Sequence, residues 1–124
     1  MDARSLTDAF DSVEETWEPR LLAELNGQHV KVARLDGEFV WHAHEDADEL
    51  FYVIDGDLTI EYREDGREDA VHLGPGDLTV APAGVEHRPV AHEETQVVLF
   101  EPAGTTNTGT AEDSDRTVED VERV

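Results

Sequence analysis

From Leu21 to Phe100 short apolar runs alternate with breaks of glycine, proline and acidic residues, and no long apolar stripe of helical spacing interrupts them. This texture predicts about nine short strands. They lie near Leu21 to Leu25, Gln28 to Leu35, Phe39 to Ala43, Glu49 to Ile54, Leu58 to Arg63, Asp69 to Leu73, Asp77 to Ala81, Glu86 to Ala91 and Thr95 to Glu101. The predicted joins are Asn26-Gly27, Asp36-Gly37, Asp55-Gly56-Asp57, Asp65-Gly66 and Gly74-Pro75-Gly76. Several are two-residue hairpin signals, because Asn or Asp before Gly tolerates the positive φ of a type I′ turn. So many short strands with regular turns point to an all-β sandwich or jelly-roll β-barrel over residues 21–102.

The two ends differ from this middle. In residues 1–20, Ser5 can cap a helix with apolar positions Leu6, Phe10, Val13 and Trp17 and with Asp8, Asp11 and Glu14 near its positive end. Pro19 should end it. So short and acidic a segment is compatible with a docked helix or with a frayed arm. Residues 103–124 are small and polar, then acidic, and are expected to form a flexible tail. Val118, Val121 and Val124 could line one side of a last helical turn, but too few residues are involved to predict it. There is no internal repeat.

Composition narrows the picture. A chain of 124 residues suits one domain with one modest core. Cysteine is absent, which removes disulfides, thiolate catalysis and zinc-thiolate sites, so any metal must be held by nitrogen and oxygen. The net charge is -22, from 31 acids against 9 bases, of which only Lys31 is lysine. Nucleic acid is therefore not expected as a partner. Such self-repulsion strains a compact fold in dilute buffer and is largely screened at molar salt, which suggests an acidic halophilic protein. The bland alternative is an acidic surface that serves only solubility. No apolar run approaches the roughly 18 residues of a membrane span, and Met1 to Phe10 lack a basic start followed by an apolar stretch. The expectation is a cytoplasmic protein with no membrane partner. Jelly rolls of this size often pair through sheet edges, so a homodimer is expected, with residues before Gln28 able to supply a strand.

The six histidines, at positions 29, 42, 44, 72, 87 and 92, carry the chemical information. In a strand, residues two apart share a face, so His42 and His44 present two imidazoles side by side to one ion. Glu49 opens the apolar run Leu50 to Ile54, and a hairpin can return its carboxylate to the histidines. His87 follows Pro82-Ala83-Gly84 at the start of a later strand that could reach the same cavity. For His29, His72 and His92 a hydrogen-bonded or exposed histidine is the better reading. Glu49 sits in the acidic run Glu45-Asp46-Ala47-Asp48-Glu49, so spacing alone leaves its role open.

Two stretches resemble the motifs of the cupin superfamily. The first is Gly37-x4-His42-x-His44-x4-Glu49-x6-Gly56, with one residue fewer before His42 than the family usually has. The second is Gly76-x5-Pro82-x-Gly84-x2-His87, which ends at Ala91 where the family has Asn, so a supporting polar group is missing. The resemblance spans residues 37–91 and implies a cupin-type jelly roll with His42, His44, Glu49 and His87 as metal ligands. Three imidazoles and a carboxylate leave open positions on a six-coordinate ion and suit one divalent Mn, Fe, Ni, Co or Zn per chain. Alternation sets Val40 beside the histidines and Phe51 and Val53 beside Glu49, as an apolar wall for a small-molecule ligand, with Trp41, Leu50 and Tyr52 facing the other way. Arg88 is the candidate anion contact. The expected function is a metal-dependent enzyme of dioxygenase, isomerase or lyase type on a small polar metabolite. The alternative is a non-catalytic, metal-stabilised binding or sensing module. No catalytic acid or base stands out, and Tyr52, His72 and Glu86 are weak candidates.

Overall fold

In the computed structural model the described residues are 1–111, 118 and 121–124. One helix, α1 (Leu6–Ser12), precedes seven strands: β1 (Arg20–Leu25), β2 (Gln28–Glu38), β3 (Glu49–Asp55), β4 (Leu58–Glu64), β5 (Arg67–Leu73), β6 (Leu78–Ala81) and β7 (Glu86–Pro102). All pairings between these strands are antiparallel. β7 organises the fold, because its 17 residues serve two layers. Its second half lies between β2 and β3 in the order β1-β2-β7-β3-β6, while its first half pairs with β4, which carries β5. The result is an open jelly-roll sandwich; the sheet does not close into a barrel.

The type I′ turns form as the sequence predicts, with positive φ at Asn26 and Gly27 and at Asp65 and Gly66. Gly56 serves a close approach instead: a Cβ there would sit 2.6 Å from the Cα of Thr95, where β7 passes between its two layers. The two predicted strands at 86–91 and 95–101 are one strand for the same reason. The predicted break at Asp36-Gly37 is a register shift inside β2, with Gly37 at φ 79°.

Phe39 to Ala43 does not form the predicted strand. Phe39 N–H donates to the Pro89 carbonyl, but Pro89 has no N–H to return, and the ladder resumes only at the isolated pair His42 and His87.

Phe51, Val53, Leu58, Ile60, Leu73, Val97 and Leu99 form the main core between the layers. The first 20 residues dock. Ser5 Oγ accepts from Asp8 N–H at 3.1 Å, and Phe10 and Val13 pack on Leu22 and Val32 in a second cluster. α1 ends at Ser12, ahead of Pro19, and Trp17 belongs to the main core, stacked on Phe39 at 4.7 Å between ring centroids.

The described part of the predicted tail is bound to the body. Leu21 N–H donates to Glu122 O at 2.8 Å, Val124 N–H donates to Leu21 O at 3.0 Å, and Val124 packs against the second cluster. These residues are extended, not helical. The rest of the suggested terminal turn lies outside the described residues.

Candidate metal centre

The site is built on one backbone pair. His42 N–H donates to His87 O at 3.0 Å and His87 N–H to His42 O at 2.8 Å, which sets their imidazoles side by side with centroids 4.4 Å apart. His44, two residues on, turns its ring to the same point, 5.0 Å from His42 and 5.7 Å from His87. Glu49, the first residue of β3, completes the group with Oε1 3.5 Å from the Nε2 atoms of both His44 and His87. One potential ligand atom from each of the four residues lies within 4.8 Å of all the others, and all four side chains are buried.

The backbone fixes which nitrogen faces inward. His42 Nδ1 and His87 Nδ1 each bond a carbonyl two residues earlier, Val40 O and Val85 O, at 2.9 Å. Nδ1–H is therefore the donor and Nε2 keeps its lone pair. The Nε2 atoms of His44 and His87 are buried without a hydrogen-bond partner. Burying such lone pairs costs free energy, and a cation at their convergence would remove that cost. Burial first, and then repulsion from His87, lowers the His42 pKa to about 4, which leaves it the neutral imidazole that ligation requires. Burial alone would raise Glu49, but its neighbours Glu101, His44 and His87 outweigh it and hold the group well below the ordinary carboxylate range. A set of three nitrogens and one anionic oxygen fits a divalent first-row ion.

Behind Glu49 lies a support that sequence reasoning missed. Glu101 lies beside Glu49, and burial, followed by Glu49 itself, pushes the Glu101 pKa up to about 9. Lys31 Nζ donates to Glu101 Oε1 at 2.7 Å, with both side chains almost completely buried. The signal available in the sequence was the sole lysine, set in the apolar run of β2.

Residues 103–111, also read as tail, brace the other side. Thr110 and Ala43 exchange two bonds, Ala43 N–H to Thr110 Oγ1 at 2.9 Å and Thr110 N–H to Ala43 O at 2.8 Å. Thr105 O accepts from Lys31 Nζ at 3.4 Å. A Cβ on Gly109 would overlap the Ala43 carbonyl and come within 3.0 Å of His44 Nδ1.

Outside this centre opens a cavity of about 480 Å³, lined by His87 together with residues of β4, β5 and β6 and the turn before β7. None of Val40, Phe51, Val53 and Arg88 lines it. Val40 and Val53 pack in the main core. Phe51 lines a space of about 30 Å³ with His42, Glu49 and Glu101. Arg88 is on the outer face, bonded to Glu61 and Glu38 and 5.4 Å from the Trp41 ring.

Tyr52 points to the far side of the sheet from the core residues Phe51 and Val53, and Glu86 pairs with Arg63. His72 bonds Asp57, and His92 bonds Thr59 at 2.8 Å. His29 lies 3.9 Å from Glu24. None of these joins the four clustered residues.

Residues 28–101 match the family described as Cupin domain. The chain is a cupin. It is 34% identical over 90 residues to the Bacillus subtilis protein YdbB, covering 64% of this cupin and 77% of that protein. The crystal structure of a cupin-2 domain protein from Shewanella frigidimarina superposes with a TM-score of 0.74 at 40% identity, covering 79% of this cupin and 92% of that chain. Acireductone dioxygenase of Rhodopseudomonas palustris is 43% identical over 47 residues, 38% of this cupin and 28% of the enzyme. The cupin thus spans most of YdbB and under a third of the dioxygenase. No described helix is long and apolar enough to cross a membrane.

Proposed function

We propose that this cupin is a metal-dependent enzyme of dioxygenase type that binds one divalent ion through His42, His44, Glu49 and His87. The observation that carries the reading is the pair of buried Nε2 atoms, on His44 and His87, that have no hydrogen-bond partner and converge on Glu49 Oε1. The likeness to acireductone dioxygenase supports the reaction class. A bound divalent ion would supply Lewis acidity and, if redox-active, a route for oxygen chemistry.

The chain's own residues do the rest. The Val40 and Val85 carbonyls hold two imidazoles in one tautomer, Glu49 brings the negative charge, and the Lys31–Glu101 pair balances that charge from behind. His87 belongs both to the centre and to the wall of the 480 Å³ cavity, so a ligand there would approach the ion from the side of β4 and β6.

Purification in high salt without chelator and elemental analysis test the reading. We expect about one metal per chain, lost in His87→Ala, and oxygen uptake with a substrate when iron is bound. Absence of metal in the unmutated chain refutes it.

A non-catalytic binding or sensing module is the second reading. It is favoured by the cavity lining, whose only ionisable side chains besides His87 are Tyr62 and Glu64. A salt-dependent fold and a homodimer in the cytoplasm complete the proposal. The dimer is supported by Leu78 and Val80, exposed on the edge strand β6. The outer edge of β1 is already bonded by residues 122–124, so β6 is the better edge for this role.

A further inference from the structure

The cavity beside His87 has an electrostatic character that the alternation of β4 and β7 creates. Tyr62 pairs with His87, and Ile60 with Pro89, so Ile60, Tyr62 and Glu64 share the inner face that lines the cavity. The intervening Glu61 and Arg63 take the outer face, together with Glu86 and Arg88 of β7. There Arg63 bonds Glu86 at 3.0 Å and lies 4.2 Å from the Trp41 ring centroid, while Arg88 bonds Glu61 at 2.6 Å. A one-residue difference in register would have put both arginines inside.

Elsewhere the described bases are also committed or remote. Lys31 faces Glu101, Arg34 faces Glu94, and Arg123 faces Glu24. Arg67 is across the hairpin from Glu64 but does not line the cavity.

Among the described residues, then, no cation lines the 480 Å³ cavity, whose walls are mainly aliphatic, including Val71, Val80 and Val85. Its polar groups are Tyr62, Glu64, Thr79 and His87. In the metal-free chain a carboxylate or phosphate entering it would lose water without finding a counter-charge among the lining side chains. A chain of net charge -22 repels such a ligand before it arrives.

We propose that this cavity takes small, non-anionic molecules with an apolar body, held by a hydroxyl or amine that donates to Glu64 or Tyr62, and rejects carboxylates and phosphates. This replaces the small polar metabolite of the sequence reading. It rests on the metal-centre reading for its place in a reaction, and on the lining alone for its selectivity.

Three phenols matched in shape and different in charge test it: 4-ethylphenol, neutral; tyramine, cationic; and 4-hydroxyphenylacetate, anionic. Binding to the full chain is followed by protein NMR, with and without chelator, at low salt and at about 1 M salt, where the long-range field is screened. In chelator we expect the neutral and cationic probes to bind about tenfold or more tighter than the anion at both salt concentrations. Glu64→Gln should weaken tyramine and leave 4-ethylphenol unchanged. Val71→Trp should fill the cavity and abolish binding with the metal content unaltered.

Equal or tighter binding of the anion in chelator overturns the proposal. So does discrimination that vanishes at high salt, or failure of all three probes to bind. A chain that takes no metal but keeps the charge preference in chelator refutes the enzyme reading while this one stands.

Discussion

Replacing Lys31 by methionine removes the one cation that faces the Glu49–Glu101 pair while keeping most of the side chain's volume. The Lys31–Glu101 contact is 2.7 Å long with side-chain exposures of 2% and 1%. Arg123 and Glu24 are closer still, at 2.6 Å, but exposed by 65% and 48%. Distance cannot separate the two pairs; burial does. Removing the cation should cost about 3–5 kcal/mol, as for one partner of a buried pair, because the negative charge it offsets, carried by Glu49 while Glu101 keeps its proton, stays in a medium that cannot solvate it. An exposed pair contributes about 0–1 kcal/mol.

For a domain of this size 1 kcal/mol moves Tm by roughly 3–5 °C, so Lys31→Met should lose about 10–20 °C. Arg123→Met should lose less than about 4 °C. The double variant Lys31→Met, Glu49→Gln should recover part of the loss, since the second substitution removes the buried charge that Lys31 offsets. Thermal unfolding followed by circular dichroism, in chelator and high salt at neutral pH, reads all four proteins. A loss in Lys31→Met no larger than in Arg123→Met would refute the reasoning.

Three further outcomes follow from the same geometry. In the metal-free protein Glu101 keeps a proton up to about pH 9 against an ordinary value of 4.5, so its contribution to stability falls as pH rises through that window. His42, lowered from 6.5 to about 4, has the opposite sign and adds stability as pH rises to 6.5. The two slopes oppose each other up to pH 6.5, after which only that of Glu101 remains. Tm in chelator should therefore decline from pH 6.5 to 9, and a flat or rising Tm there contradicts the assignment. Gly109→Val should push the 103–111 segment off Ala43 and His44 and weaken metal affinity about tenfold or more by competition titration, with circular dichroism of the fold retained. Raising salt from about 0.1 M to 1 M should raise Tm and leave a dimer mass in light scattering; a salt-independent monomer would remove both expectations.

The sequence by itself determined the strand texture, the two type I′ turns and the His42–His44 pair, because each depends on local spacing: Asn-Gly and Asp-Gly at the turns, His-x-His on an extended segment. It located Glu49 and His87 only through the resemblance, since Glu49 sits in an acidic run and nothing local ties residue 87 to residue 42.

Tertiary structure decided what depends on pairing between distant segments. Pro89 interrupts the ladder at 39–43, and Gly56 lets β7 pass close enough to serve two layers. Lys31 and Glu101, 70 residues apart, meet behind Glu49 only because β2 and β7 are neighbours. The threonine-rich stretch after Pro102 has the composition of a tail, yet Thr110 braces Ala43 beside His44.

Arg88 was nominated as an anion contact because it follows His87 in the chain. Alternation along β7 sends it to the opposite face, where Glu61 holds it, and leaves a cavity without a cation. Adjacency in sequence and adjacency in a strand's face are opposed by the period of two, and only the pairing register says which side is the inside.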